Sequence, residues 1–218
     1  MVNKPMEIVI VRHGQTTANR DGIIQGHMNS QLDDLGMAQA QTVAKRLQHE
    51  HFDAAFYSDL DRASNTAQAI LQYHPGLPAQ ATAELREWNL GVLQEQSYKN
   101  MPSEYQKLVD FLRSSEDVPP IPGGETIEEF QQRISDFMED LAKKYAGKRI
   151  LLVSHGGVIQ RMLRHTVGKM MNGNFRPACD NTSISIFRKR LDGCWQMITW
   201  NDTAHLNSEL TSDKPLPL

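Results

Sequence analysis

Cysteine is scarce in this sequence: its 218 residues include two, Cys179 and Cys194. That number is too small for the disulfide framework of a small secreted protein. Residues 1–5 are polar and the apolar run that follows is far too short to span a bilayer, so we expect neither a secretory leader nor a membrane anchor. A net charge of −3 favours neither nucleic acid nor a membrane as a partner. These absences predict a cytoplasmic protein.

Spacings typical of metal ligands are also missing. None of the eight histidines is the fourth residue after another histidine or the third after a glutamate, which are the spacings that place two ligands on one helix face. The sequence therefore predicts no metal and no other cofactor. A metal-dependent hydrolase that uses these histidines is kept as an alternative.

Short apolar segments and amphipathic segments alternate along much of the chain. Residues 6–11, 54–58 and 149–154 predict buried strands, and residues 35–47 and 62–73 predict helices. This order of strands and helices is typical of an α/β fold whose sheet is covered on both faces.

The rest of the chain contains two clear local signals and one interruption. Thr126 and Glu129 form a capping box before apolar residues at helical spacing. Asp192-Gly193 is a turn between two strand-like segments, which predicts a hairpin. A polar, proline-containing segment from about residue 88 to 125 breaks the alternation. We interpret it as a helical cap insertion, at about residues 92–124, in a single domain that spans residues 1–218.

Two of the predicted strands end in histidine followed by glycine. Arg12-His13-Gly14 follows the first strand, and His155-Gly156-Gly157 follows the strand at 149–154. In open α/β sheets, ligands bind outside the carboxyl ends of the strands. The glycines leave room for a bulky anion beside the imidazoles. One histidine in this position is usually structural, whereas two in the same context favour a functional site.

Arginine is the second component of this predicted site. Arg12 adjoins His13, and Arg62 opens the helix after the second strand. A guanidinium bonds two phosphate oxygens at once and stays charged, while a neutral imidazole is a nucleophile that can form a covalent intermediate. A phosphoryl group in transfer spreads its charge over three oxygens, and two arginines with a protonated His155 would stabilise that charge.

Five blocks of sequence, in order, resemble the signature of the histidine phosphatase superfamily, also called the phosphoglycerate mutase-like family. The blocks are 12–16 with Asn19 and Gln25-Gly26, 58–67, 85–91, 122–130 and 153–157. Each block is weakly specific alone, but all five in sequence order are strongly specific. The resemblance extends from about Ile8 to Phe187. It implies a three-layer α/β/α sandwich with a mostly parallel sheet.

The resemblance also implies a role for each matching residue. His13 would be the nucleophile, Arg12, Arg62 and His155 would hold the phosphoryl oxygens, and Glu87 would donate and accept the proton. The substrate-binding residues would be Thr16, Asn19, Gln25, Gly26 and Gly156. The predicted function is a phosphomonoesterase that acts on a small phosphorylated metabolite through a phosphohistidine. That metabolite is the only partner predicted, and the oligomeric state is left open.

Some choices stay open at this point. Spacing alone does not choose between Glu84, Glu87 and Glu95 as the acid, although the resemblance favours Glu87. The chain departs from the family pattern at Gln15, at Asp59 and at residues 92–95, which concern the substrate pocket and the cap rather than the catalytic groups.

Two other functions compete with the phosphatase. A cofactor-dependent phosphoglycerate mutase would need cationic groups in the cap to retain a bisphosphorylated intermediate. Residues 93–124 contain three cations, Lys99, Lys107 and Arg113, against five acidic residues, which favours the phosphatase. An inactive binding module is disfavoured because all five predicted catalytic residues are present.

Overall fold

The computed structural model describes residues 4–114, 119–168 and 177–211. Its strands are β1 Met6–Arg12, β2 Ala54–Ser58, β3 Ala79–Thr82, β4 Arg149–Ser154, β5 Ile184–Lys189 and β6 Trp195–Asp202. They form one sheet in the order β3-β2-β4-β1-β5-β6. The four strands from β3 to β1 are parallel, and β5 is antiparallel to both of its neighbours. The predicted mostly parallel α/β sheet is confirmed.

Helices cover both faces of this sheet. The described helices are α1 Thr17–Asp21, α2 Asp34–Leu47, α3 Asp61–Leu71, α4 Ser103–Ser114, α5 Ile127–Lys144 and α6 Gly156–Val167. Along β1, Ile8 and Ile10 join an apolar cluster with α5 and α6, whereas Val9 and Val11 join a second cluster with α2 and α3. This alternation follows from the two-residue period of a strand, and it produces the predicted three layers.

Both local signals in the second half of the chain predict the structure correctly. The Thr126 hydroxyl accepts from the Glu129 backbone N–H at 3.1 Å, and the Glu129 carboxylate accepts from the Thr126 N–H at 2.8 Å, so the capping box starts α5. β5 and β6 form the predicted hairpin on either side of Asp192-Gly193.

Two short elements have no counterpart in the sequence prediction. Strand β3 has four residues, none of them buried, and it pairs in parallel with β2 at the sheet edge. Helix α1 has five residues and depends on its cap at Thr16. Both elements are too short for periodicity to reveal.

The segment interpreted as a cap contains α4 and a turn of 3₁₀-helix at Gly91–Leu93. A small apolar cluster connects it to the loop after α1 and to the residues before α5; its buried members are Ile24, Leu90, Leu93, Val109 and Ile121. Residues 115–118 of the segment lie outside the described residues, and the division into domain and cap stays a prediction. No helix in the described ranges has the length and apolar character needed to cross a bilayer.

Candidate active site

His13 and His155 lie side by side at the carboxyl edge of the two central strands. β1 and β4 are parallel and in register, with Arg12 opposite Ser154, and the His13 N–H donates to the Ser154 carbonyl at 2.9 Å. The two imidazole centroids are 5.1 Å apart, and both side chains are buried. The structure therefore brings together the two histidines that the sequence placed at strand ends.

The hydrogen bonding of His13 identifies its free nitrogen. Nδ1 lies 2.7 Å from the carbonyl oxygen of Gly14, which can only accept, so Nδ1 carries the hydrogen. Nε2 therefore keeps its lone pair. Burial lowers the pKa of His13 well below its usual value, and the charges of Arg62 and Arg12 lower it further. The ring is neutral at physiological pH, as a nucleophile requires.

His155 is neutral as well, in contrast to the imidazolium expected from the sequence. Its Nδ1 accepts from Nε of Arg62 at 3.2 Å, and its Nε2 donates to the hydroxyl of Ser58 at 2.8 Å. Burial lowers its pKa well below the usual value, followed by the charges of Arg62, His13 and Arg12. Among the described residues that line the site, the positive charge therefore belongs to Arg12 and Arg62.

Arg62 is buried and held by backbone carbonyls as well as by His155. Its Nη1 donates to Met28 at 2.8 Å and its Nη2 to Gly26 at 2.7 Å. Burial lowers its pKa to about 10, although the charge of Glu87 raises it, so the guanidinium stays charged at neutral pH. One turn later in α3, the Thr66 hydroxyl accepts from the Gly14 N–H at 3.1 Å and ties the helix to the His13 loop.

Arg12 has a donor that the protein leaves unused. Its Nη1 donates to the carbonyl of Cys179, but its Nε is buried and has no hydrogen-bond partner among the described residues. A buried unpaired N–H costs about 1–3 kcal/mol, and a bound anion would satisfy it. Gly156 lies next to this guanidinium, since a Cβ there would be 3.6 Å from Arg12 Cζ.

Glu87 lies against the first turn of α6. One oxygen of its carboxylate accepts from the N–H of Trp88 at 2.9 Å and the other from the N–H of Gly157 at 3.0 Å. Gly157 leaves the space for this contact, because a Cβ there would overlap the carboxylate. The side chains of Glu84 and Glu95 are exposed, so the structure favours Glu87 among the three candidates.

The remaining predicted binding residues form a polar cluster in the loop around α1. Thr16 caps α1 and exchanges hydrogen bonds with Asn19, whose amide oxygen accepts from the Thr16 N–H at 3.2 Å. The amide oxygen of Gln25 accepts from the hydroxyls of Thr16 and Ser30. Both amide oxygens are thus occupied inside the protein, which leaves the NH₂ groups as the donors available to an anion.

Gly26 has a φ of 49°, a conformation that favours glycine, and its carbonyl holds Arg62. The side chain of Gln94 packs directly against it and accepts from the His27 N–H at 2.6 Å. Gln94, which belongs to the segment interpreted as a cap, therefore contacts the loop around Gly26. It lies within residues 92–95, where the sequence departs from the family pattern.

Several residues that complete the site were not assigned a role from the sequence. They are Ser58, Thr66, Gln94, and Asn181, whose side-chain N–H donates to the His13 carbonyl at 2.9 Å. Ser58 carried a usable signal, because it ends β2 on the same edge as His13 and His155. No sequence pattern indicated Asn181, because it lies 168 residues after His13 and contacts it only in the folded chain.

The chain is thus an α/β protein with a buried, cationic site, suited to an anionic group, at the carboxyl edge of its sheet. The model of the histidine phosphatase superfamily (branch 1) matches residues 8–203. The chain belongs to this superfamily. Within the described ranges, no group of three or more histidine, cysteine, aspartate or glutamate side chains is placed to hold a metal ion.

Named relatives include phosphatases and mutase-like proteins. Phosphoglycerate mutase-like protein 4 of Arabidopsis thaliana is 35% identical, over 92% of this chain and 86% of its own length. The metal-independent phosphoserine phosphatase of the same plant is also 35% identical, over 93% and 84%. Phosphoserine phosphatase from Entamoeba histolytica, solved with 3-phosphoglyceric acid, is 27% identical with a TM-score of 0.77, over 93% of this chain and all of that one. These comparisons confirm the predicted family and the predicted class of activity, a phosphatase of small phosphorylated metabolites.

Proposed function

We propose that this protein hydrolyses small phosphate monoesters through a phosphohistidine formed at Nε2 of His13. His13 provides the main support: it is a buried neutral imidazole whose Nδ1–H donates to the Gly14 carbonyl and whose Nε2 keeps its lone pair. The unused buried Nε of Arg12 beside it is the second support. A neutral nucleophile next to an unsatisfied cation suits an anionic electrophile.

In the first half of the reaction, Nε2 of His13 attacks phosphorus and the bond to the ester oxygen breaks. Arg12 and Arg62 stabilise the charge on the three equatorial oxygens. The ester oxygen leaves with a proton from the carboxyl group of Glu87, so the alcohol is released neutral. The phosphoryl group is then held on His13.

In the second half, Glu87 takes a proton from a water molecule, whose oxygen attacks the phosphorus. The N–P bond breaks, its electron pair returns to Nε2 of His13, and inorganic phosphate leaves. The carboxyl group is thereby protonated for the next cycle. This sequence uses Glu87 as acid and then as base, as microscopic reversibility requires.

The hydrogen bonds of the α1 loop support the binding role that we propose for it. Asn19 and Gln25 would donate their NH₂ groups to phosphate oxygens, because their own oxygens are occupied by Thr16 and Ser30. Gly156 opens α6, whose twelve residues place a positive helix end at the site. Thr16 and Gly26 would act by shaping this loop.

Phosphoserine and phosphorylated hydroxy acids of similar size are the substrates we favour. The named phosphoserine phosphatases support this choice, and the predicted excess of acidic residues in the cap supports hydrolysis over retention of a second phosphate. The two described cap cations, Lys99 and Lys107, are exposed. The cytoplasmic location and the lack of nucleic-acid and membrane partners stay predictions.

Rapid quench with ³²P-labelled substrate tests the central step. We expect an acid-labile, base-stable adduct on the wild-type chain and none on His13→Ala, whose turnover should fall by several orders of magnitude. His51→Ala, at an exposed histidine, is the matched control and should keep the adduct. Full activity in His13→Ala would contradict the proposal.

The mutase alternative is supported by the mutase-like relative and needs its own assay. The enzyme is given 3-phosphoglycerate with catalytic 2,3-bisphosphoglycerate, and isomerisation is separated from phosphate release. We expect phosphate release to dominate. Rapid isomerisation with negligible phosphate release would replace the phosphatase by a mutase and leave the role of His13 intact.

A further inference from the structure

Arg133, on α5, lies behind the loop that carries Glu87 and uses all five of its N–H donors there. Its Nη1 donates to the carbonyls of Glu84 at 2.7 Å and Arg86 at 2.9 Å, and its Nη2 to the carbonyl of Glu87 at 3.3 Å. Nε and Nη2 also donate to the two carboxylate oxygens of Glu125, at 2.8 and 2.9 Å. The side chain is 16% exposed. One guanidinium therefore holds three backbone carbonyls within four consecutive residues.

Glu125 holds the other side of the same loop. Its carboxylate accepts from the N–H of Asn89 at 2.9 Å, and its backbone carbonyl accepts from the indole N–H of Trp88 at 2.9 Å. Burial alone would raise the pKa of Glu125, but the hydrogen bonds from Arg133 and Asn89 outweigh it, so the pKa is lowered and the pair is charged. The loop from Glu84 to Asn89 is thus held between the two members of one ion pair.

The ion pair also supports the aromatic surface beside Glu87. The Arg133 guanidinium lies 4.9 Å from the centroid of the Phe130 ring, and Phe130 stacks on Trp88 with centroids 5.8 Å apart. Trp88 in turn donates its backbone N–H to the Glu87 carboxylate. Arg133 thus reaches Glu87 by two routes, directly at its backbone carbonyl and through Phe130 and Trp88 at its carboxylate. The ring of His27, 2.8 Å from the same carbonyl, and the N–H of Gly157 at the carboxylate are the remaining contacts.

We propose that Arg133, together with Glu125, is a positioning residue that holds the Glu87 carboxylate in place for proton transfer. This inference rests on the acid–base role of Glu87 in the proposed function. Neither side chain of the pair donates to the Glu87 carboxylate itself, which instead receives the N–H groups of Trp88 and Gly157. A lysine ammonium has three donors and no planar fork, so it cannot replace all five contacts of the guanidinium.

The test measures the rate of phosphoenzyme formation on 4-nitrophenyl phosphate, phenyl phosphate and phosphoserine, whose leaving groups need increasing help from an acid. We expect Arg133→Lys to lower the rate on phosphoserine about 10- to 100-fold and the rate on 4-nitrophenyl phosphate less than about 3-fold, because a displaced acid matters most for a poor leaving group. Substrate affinity should change little, since Arg12 and Arg62 are untouched. Glu125→Gln should show the same dependence on the leaving group with a smaller loss.

Two controls separate positioning from general loss of structure. Arg188→Lys alters a part-buried guanidinium that bonds Glu7 near the opposite end of β1, and it should leave all three rates unchanged. In the Glu87→Gln background, Arg133→Lys should add almost no further loss, because both changes affect the same proton transfer.

Equal losses on all three substrates, or losses that add fully to those of Glu87→Gln, would overturn the positioning role while leaving the proposed function standing. If the loss in Glu87→Gln does not depend on the leaving group, the acid–base role of Glu87 is contradicted, and so is the positioning role of Arg133. Should Arg133→Lys fail to fold, the Glu125→Gln variant alone decides by the same criteria.

Discussion

Nε–H of Arg62 donates to Nδ1 of His155 across 3.2 Å, and this contact decides which nitrogen of His155 carries the hydrogen. Because Nδ1 accepts, Nε2 is the protonated nitrogen, and it donates to the Ser58 hydroxyl at 2.8 Å. The three side chains form a buried chain that connects α3 to the ends of β4 and β2. It explains how a neutral imidazole can lie beside an arginine with both of its nitrogens satisfied.

Replacing Ser58 by alanine removes the acceptor from this chain. A buried N–H without a partner costs about 1–3 kcal/mol, so we expect the free energy of unfolding to fall by about that amount. Urea denaturation measures the change, with Ser64→Ala, a partly exposed serine of α3, as the matched control. An unchanged midpoint for Ser58→Ala would show that the hydroxyl does not accept from His155.

The depressed histidine pKa values predict how stability depends on pH. His13 and His155 have folded pKa values well below 6.5, so below pH 6.5 the unfolded chain binds protons that the folded chain does not. Each histidine therefore lowers the free energy of unfolding by up to about 1.4 kcal/mol per pH unit as pH falls from 6.5 toward its folded pKa.

Denaturation midpoints at pH 7.5, 6.5 and 5.5 measure this slope. His155→Gln should flatten it, and His51→Gln, at a largely exposed histidine, should not. A slope that is the same in wild type and His155→Gln would contradict the depressed pKa.

A second loss of folding stability should follow below pH 4.5, because the hydrogen bonds of Lys189, Trp195 and His165 outweigh burial and hold the pKa of Glu139 at about 2. That loss should be small, since the Glu139 side chain is 36% exposed.

Gly157→Ala should damage proton transfer without touching a titratable group. Its Cβ would overlap the Glu87 carboxylate and lie 3.3 Å from Phe130. A displacement of about 1 Å can cost about 10²-fold in rate, and we expect a loss of that order on phosphoserine with a smaller one on 4-nitrophenyl phosphate. Gln160→Ala, in the same helix, controls for the changed helix propensity and should retain activity. Wild-type rates in Gly157→Ala would contradict the placement of the Glu87 carboxylate against Gly157.

Turnover should survive extensive chelation. In the proposed mechanism the cations that face the transferred phosphoryl group are the guanidinium groups of Arg12 and Arg62, which EDTA does not remove. Steady-state rates before and after dialysis against EDTA measure this directly. If activity is lost and Zn²⁺ or Mg²⁺ restores it, the metal-dependent hydrolase is favoured over the proposed mechanism.

Much of the fold could be predicted because its signals are local. β1 and β4 are apolar runs that end at His-Gly, the capping box at Thr126 starts α5, and Asp192-Gly193 turns the hairpin. Each of these signals lies within a few consecutive residues. The edge on which His13 and His155 meet follows in turn from the rule that parallel strands place their carboxyl ends together.

The strand-end histidines, the arginines near them and the family pattern to which they belong can all be identified from the sequence. Three features depend instead on tertiary contacts: the neutral state of His155, the support of the two histidines by Ser58 and Asn181, and the contacts of Arg133 with the Glu87 loop. These contacts join residues that are far apart along the chain. Ser58 is 97 residues from His155 and Asn181 is 168 residues from His13. Local patterns place the two histidines at strand ends, but they do not encode which distant side chains will pack against them.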